Sequence, residues 1–170
     1  MQTTTDAPGP DHTPVLSQLA IDGVFTEQFP SVAYKQGTLT EVVNSKWQDL
    51  FSEPVEHLYF ISNSGDRVRE EWYVHHKVLD RYVLIDGKAK VALFDDRESS
   101  PTFETLIVVD LAGIEQGGVS GLRIPAGVWH SFSYQTEKLL LMNAKHPGYN
   151  RDEPDKSRMP MPNERTNFHW

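Results

Sequence analysis

The stretch Asp80-Arg-Tyr-Val-Leu-Ile-Asp-Gly-Lys-Ala-Lys-Val-Ala-Leu-Phe94 decides the fold class of this chain. Two apolar, strand-forming runs flank Asp86-Gly87, and Asp-Gly is the dipeptide that tolerates the positive φ values of a two-residue turn. The pattern predicts two strands joined as a hairpin. Runs of the same kind lie on both sides: 38–43, 55–61 and 68–74 before it, then 105–110, 122–124, 130–134 and 138–142 after it. Turn formers separate them at Asn63-Ser-Gly65, Ala112-Gly113 and Gly117-Gly118. Helical spacing occurs only briefly, over 46–51. Many short strands at regular spacing predict an all-β sandwich, barrel or jelly roll.

The chain has 170 residues, which fits one domain with a core of its own. Composition divides it into a polar arm at 1–14, a strand-rich domain at 15–149 and a proline-punctuated tail at 150–170 packed on the barrel. The absence of cysteine excludes a disulfide scaffold, a thiolate metal site and a cysteine nucleophile. A net charge of -8 argues against a surface that tracks nucleic-acid phosphates. The first twenty residues lack the charged and apolar regions of a signal peptide, and no run is long enough to span a membrane. The expectation is a cytoplasmic protein with a small-molecule substrate.

Chemistry must then run on histidine, carboxylate or tyrosine. His75-His76-Lys77 and His130 supply imidazoles that can titrate near neutrality. Asp80 is an acid inside an apolar strand, which is costly unless it is paired or functional. If Trp72 faces the interior, strand alternation puts His76 beside it and His75 outside; a bulge would reverse the two. Both histidines therefore stand as catalytic candidates, with His130 and Asp80. Arg69, Lys90 and Arg123 are candidates for a basic pocket that holds a small anionic substrate. Trp72, Tyr82 and Tyr134 are candidate walls of an aromatic cavity. A site of one of the paired histidines with Asp80 and His130 would make a two-His-one-carboxylate metal set, but a metal-free, cofactor-free site is the reading adopted.

Pro125-Ala-Gly-Val-Trp-His130 resembles the P-x-G-x-x-H signature of cupins. Read with Gly87-Lys-Ala-Lys-Val-Ala-Leu-Phe-Asp-Asp-Arg97 and Ser100-Pro-Thr-Phe103, it resembles the dTDP-4-dehydrorhamnose 3,5-epimerase (RmlC-like) family over about 34–149. That resemblance implies a cupin jelly roll, a homodimer and a dTDP-sugar substrate. It also implies proton removal α to a ketone by a histidine, with return of a proton by a tyrosine. Glu41 and Tyr149 enter as substrate-binding candidates through it, and it makes the anion held by Arg69, Lys90 and Arg123 a diphosphate. The family's R-G-L-H reads Arg69-Glu-Glu-Trp72 here, its barrel lysine falls at Asp80, and its tyrosine falls at Met142 or Asn143. A standard 3,5-epimerase is therefore not expected. His75-His76-Lys77 resembles the H-A-H-K segment of sugar 3,4-ketoisomerases, which suggests an isomerase or epimerase with replaced acid–base groups. Recruitment to other small-molecule chemistry and a non-catalytic sugar-nucleotide-binding cupin are the competing readings.

Overall fold

The computed structural model describes residues 14–46, 50–64, 68–116 and 118–170. All but the last residue of the expected 1–14 arm, part of the helical turn at 46–51, and the turn residues Gly65 and Gly117 lie outside them. The strands are β1 (Val15–Gln18), β2 (Phe25–Phe29), β3 (Ser31–Tyr34), β4 (Gly37–Thr40), β5 (His57–Ser64), β6 (Glu71–Val74) and β7 (Leu79–Asp86). They continue as β8 (Lys88–Asp95), β9 (Leu106–Ala112), β10 (Val119–Ile124), β11 (Val128–Tyr134), β12 (Lys138–His146) and β13 (Ser157–Pro160). Among the described residues the only helix is a 3-10 turn at Ile114–Gln116.

A six-stranded sheet in the order β1-β2-β10-β7-β12-β5 faces a five-stranded sheet in the order β13-β6-β11-β8-β9, and β3 pairs with β4 apart from both. Every registered pair within them is antiparallel. This is the all-β jelly roll that the cupin resemblance implies.

The predicted hairpin at Asp86-Gly87 is not one. β7 pairs with β10 and β12, while β8 pairs with β11 and β9, so the turn carries the chain from one sheet to the other. Gly87 has φ of 89°, and a Cβ there would lie 2.5 Å from the Lys138 carbonyl oxygen. The glycine signal was thus correct about a tight corner, but both flanking strands have their edges filled by other partners. Strands β1, β2, β3 and β13 fall where no strand was predicted; their sequences are short, β1 and β3 form by pairing with the next strand, and β2 and β13 gain distant partners in β10 and β6.

Strand alternation explains where the site sits. On β12, Leu139 and Leu141 belong to the central apolar cluster, and two-residue steps then bring Asn143 and Lys145 to the same face. β7 repeats the switch with Leu84, Tyr82 and Asp80, and β11 with Phe132 and His130. One end of the barrel interior is therefore a leucine-rich core, and the other is polar but still buried. Each Leu or Val sealed in that core contributes about 1.5–3 kcal/mol. On the outer faces a second cluster forms around Val83, Phe29 and Leu50, and a third around Trp72, Ala92 and Phe94. β7 is apolar at successive positions because both its faces are covered.

The C-terminal residues cover the outer face of the smaller sheet. β13 pairs with β6, setting Met159 opposite Trp72, and Phe168 packs 5.7 Å from the Trp72 ring. Trp72 is fully buried in this outer cluster.

Candidate functional site

Register alone assembles the polar end of the barrel. Asn143 on β12 sits opposite Tyr82 on β7 and opposite Tyr59 on β5. One step further along, Lys145 sits opposite Asp80 and His57. Across the cavity His130 on β11 is paired with Tyr73 on β6. Directly opposite residues share a face, so these side chains converge.

Asp80 is the hub. Its Oδ1 accepts from Lys145 Nζ at 3.0 Å and from Asn143 Nδ2 at 2.8 Å. Its Oδ2 lies 3.8 Å from His75 Nε2. Burial pushes the Asp80 carboxyl up, but His130 when protonated, the Lys145 ammonium, His75 when protonated and the Asn143 amide outweigh it and lower the group from its ordinary value. Burial also pushes His130 down to about 4, so Lys145 supplies the balancing charge at neutral pH. Lys145 Nζ also donates to His75 Nε2 at 2.8 Å. The ring of His75 lies 6.2 Å from that of His130. His130 rests edge-on to Phe132, and its Nδ1 donates to the Val128 carbonyl at 3.3 Å.

Two cavities open beside this network. The first, about 130 Å³, is walled by residues including Arg69, Tyr73, His75, His130 and Tyr134. The second, about 250 Å³, is walled by residues including His57, Lys145 and Tyr149. Tyr59, His75 and Lys156 border both. The Tyr59 phenol accepts from Asn143 Nδ2 at 2.9 Å, which leaves its own O–H to donate. Burial, with Asp80 nearby, pushes Tyr59 up to about 12, so it stays protonated at neutral pH. Arg69, Lys156 and Arg158 surround the Tyr73 ring at 5.4, 4.6 and 5.3 Å. Burial and the neighbouring cations Arg158, Arg69 and Lys145 all lower the Lys156 pKa, as expected where positive charge is crowded.

The predicted residues divide cleanly. His75, His130, Asp80, Arg69, Tyr82, Tyr134 and Tyr149 reach the network or its cavities. His76 does not: it is exposed, and its Nε2 meets Ser157 Oγ at 2.7 Å. The choice follows from Trp72, which turns outward and so sends Tyr73 and His75 inward. Glu41 is exposed and pairs with Asn44. Lys90 pairs with Asp110 at 2.8 Å, and Arg123 with Glu53 at 2.6 Å; neither lines these cavities. Among the described residues no three His, Cys, Asp or Glu side chains are grouped to hold a metal ion; the Lys145 ammonium stands between Asp80 and His75.

Sequence reasoning missed Lys145, Tyr59 and Lys156, and gave Asn143 no part beyond standing at the family's tyrosine. The signal for Tyr59 was present, because β5 alternates His57, Tyr59 and Ile61 with Leu58 and Phe60. Leu58 and Phe60 are exposed, whereas His57, Tyr59 and Ile61 line the cavities.

The Ser100-Pro-Thr-Phe103 motif lies elsewhere. The buried Asp95 carboxylate accepts from Arg97 Nε at 2.7 Å, Ser100 Oγ at 2.6 Å and Thr102 Oγ1 at 2.7 Å. None of these residues lines either cavity. The motif ties a loop apart from both cavities.

The fold and site define a cupin barrel with a buried acid–base network at one end of its interior. No protein-family model matches the sequence. The chain is 32% identical over 130 residues to the probable low-salt glycan biosynthesis epimerase Agl13 of Haloferax volcanii, covering 75% of this chain and 80% of that one. It is 32% identical over 111 residues to the spore coat polysaccharide biosynthesis protein SpsL of Bacillus subtilis, covering 64% and 71%. The crystal structure of a dTDP sugar isomerase from Desulfovibrio desulfuricans superposes with a TM-score of 0.77 at 21% identity, covering 91% and 94%; at that identity the likeness is one of fold. The chain belongs to the family of that Haloferax glycan-biosynthesis epimerase, on a cupin barrel of the RmlC-like fold. No helix among the described residues is long and apolar enough to cross a membrane.

Proposed function

We propose that this enzyme epimerises or isomerises a nucleotide-linked 4-keto-6-deoxy sugar by removing a proton α to the ketone. His75 takes the proton. Lys145 stabilises the developing enolate oxygen, and Tyr59 returns a proton from the opposite wall. His130 assists as a neutral imidazole in contact with the sugar. The observation that carries this reading is the convergence of His75, Lys145 and Tyr59 at the junction of the two cavities. A phenol pushed up to about 12 is a poor acid toward water but still a competent donor to a carbanion. The cations around Tyr73 would meet the diphosphate, since the chain as a whole is acidic. Kinship with the glycan-biosynthesis epimerase Agl13 supports the reaction class, and the fold shared with a dTDP sugar isomerase supports a sugar nucleotide as substrate. The pair of catalytic groups differs in position from the standard 3,5-epimerase pattern, so the product need not be the doubly inverted sugar.

The test is incubation with dTDP-4-keto-6-deoxyglucose in D2O, followed by NMR of the sugar carbons. Deuterium entry at C3 or C5, or a shifted ketone, is expected. Absence of both would overturn the reading.

The working form is inferred to be a homodimer. Edge strand β5 presents Leu58 and Phe60, 47% and 57% exposed, which a second copy would cover. Light scattering at the mass of a single chain would exclude it.

A further inference from the structure

His75 stands one residue past the end of β6, on the short connection that leads into β7. Nothing in strand geometry fixes an imidazole at such a place. Asp155, eighty positions away in sequence, meets that connection with both of its oxygen-bearing groups. Its carboxylate accepts from the backbone N–H of His76 at 3.1 Å, of Lys77 at 2.7 Å and of Val78 at 3.0 Å. Its main-chain carbonyl accepts from Nδ1 of His75. A carbonyl can only accept, so Nδ1 carries the proton and the lone pair sits on Nε2, facing Lys145 at 2.8 Å. Burial opposes the Asp155 charge, but the three backbone donors outweigh it and hold the carboxylate ionised. Asp155 is itself anchored, since the next residues enter β13 and Ser157 lies opposite Val74.

We propose that Asp155 is a positioning residue for His75: its carboxylate fixes the 76–78 backbone so that its carbonyl holds His75 as the Nδ1–H tautomer, with the Nε2 lone pair turned into the site, where it accepts from Lys145 until substrate displaces that contact and Nε2 acts as base. The tail that covers the outer face of the barrel thereby reaches through to set the protonation pattern of the site. The proposal rests on His75 being the base. It deepens that reading by assigning the control of that base to a residue that does not touch substrate.

The experiment records the ring-nitrogen NMR shifts of ¹⁵N-histidine-labelled protein at neutral pH, with His75 assigned by the signals lost in His75→Asn. Wild type is expected to show one protonated and one unprotonated nitrogen for His75. In Asp155→Ala the two should move toward a common averaged shift. kcat for solvent exchange should fall about 10- to 100-fold with KM within about threefold, because a base displaced by a fraction of an ångström loses orientation and not binding. Asp155→Asn, which keeps one acceptor oxygen, should fall between wild type and Asp155→Ala in both readouts and guards against loss of fold in the alanine variant. A fixed Nδ1–H pattern in both variants, or kcat within about twofold of wild type in both, would overturn the proposal. The tautomer readout needs no substrate, so failure of the keto-sugar assay would strike the proposed reaction and leave this assignment to be judged on the nitrogen shifts.

Discussion

Lys145 and Asp80 form an ion pair closed off from water, with Nζ 3.0 Å from Oδ1 and side-chain exposures of 4% and 2%. The pair joins neighbouring strands β12 and β7 at directly opposite positions. Two charges in such a place stand only because each compensates the other, and Asn143 and His75 satisfy what remains. Removing one partner strands the other. Asp80→Ala and Lys145→Met should each cost about 3–5 kcal/mol in urea unfolding. Combining Lys145→Met with Asp80→Leu should recover much of that stability without recovering exchange activity. Additive losses in the double variant would mean that the charges do not depend on each other.

The two adjacent histidines should behave differently. His75 borders both cavities, whereas His76 is exposed beside Ser157. His75→Asn should lower kcat for solvent exchange about 10²- to 10⁴-fold, the span typical of a lost general base. His76→Asn should leave kcat within about twofold. Equal losses in the two variants would move the base away from His75.

That distinction shows where the sequence was legible. The β-rich pattern and the P-x-G-x-x-H turn were enough for an all-β cupin, because strand periodicity and turn chemistry are local properties. His130 and Asp80 were also visible, one from its motif and one from being an acid in an apolar run. The facing of His75 and His76 was not, because alternation fixes only relative parity and its origin was set at Trp72. Trp72 turns outward because Phe168, Met161 and Phe94 form a cluster for it there. Two of those three come from the tail, more than eighty residues on. The hairpin expected at Asp86-Gly87 failed for the same reason: a local signal for a corner does not say which strands lie alongside. Lys145 escaped notice because it lies beyond the apolar run of β12, near the strand's end, where a lysine ordinarily reaches solvent.

Acid should weaken the fold through His130 as the pH drops below neutrality. Burial pushes this imidazole down to about 4 from an ordinary 6.5, so between those values the unfolded chain binds a proton that the folded chain refuses. Stability therefore falls as pH drops from 6.5 toward 4, by roughly 3 kcal/mol at the low end. His130→Gln should flatten that part of the curve in urea unfolding series at pH 7, 5.5 and 4.5. A wild-type slope unchanged by the substitution would place the proton uptake on another group.

Asp95 acts in a lower window and through a different sign of charge. Its buried carboxylate is opposed by desolvation, but Arg97, Ser100 and Thr102 outweigh this and hold it well below the usual range. A depressed carboxyl contributes stability that is present above the unfolded value near 3.9 and is lost as pH falls from there toward the native value. Asp95→Asn keeps the shape but removes the charge from five donor contacts, counting the Arg97 backbone N–H and Nη2. It should cost about 2–4 kcal/mol at pH 7 and less at pH 2.5, where the unfolded carboxyl is already protonated while the native one still holds its charge. Because none of these side chains lines the cavities, kcat and KM of the folded variant should match wild type at 25 °C. A variant with normal stability and impaired turnover would instead put the Ser-Pro-Thr-Phe loop at the substrate.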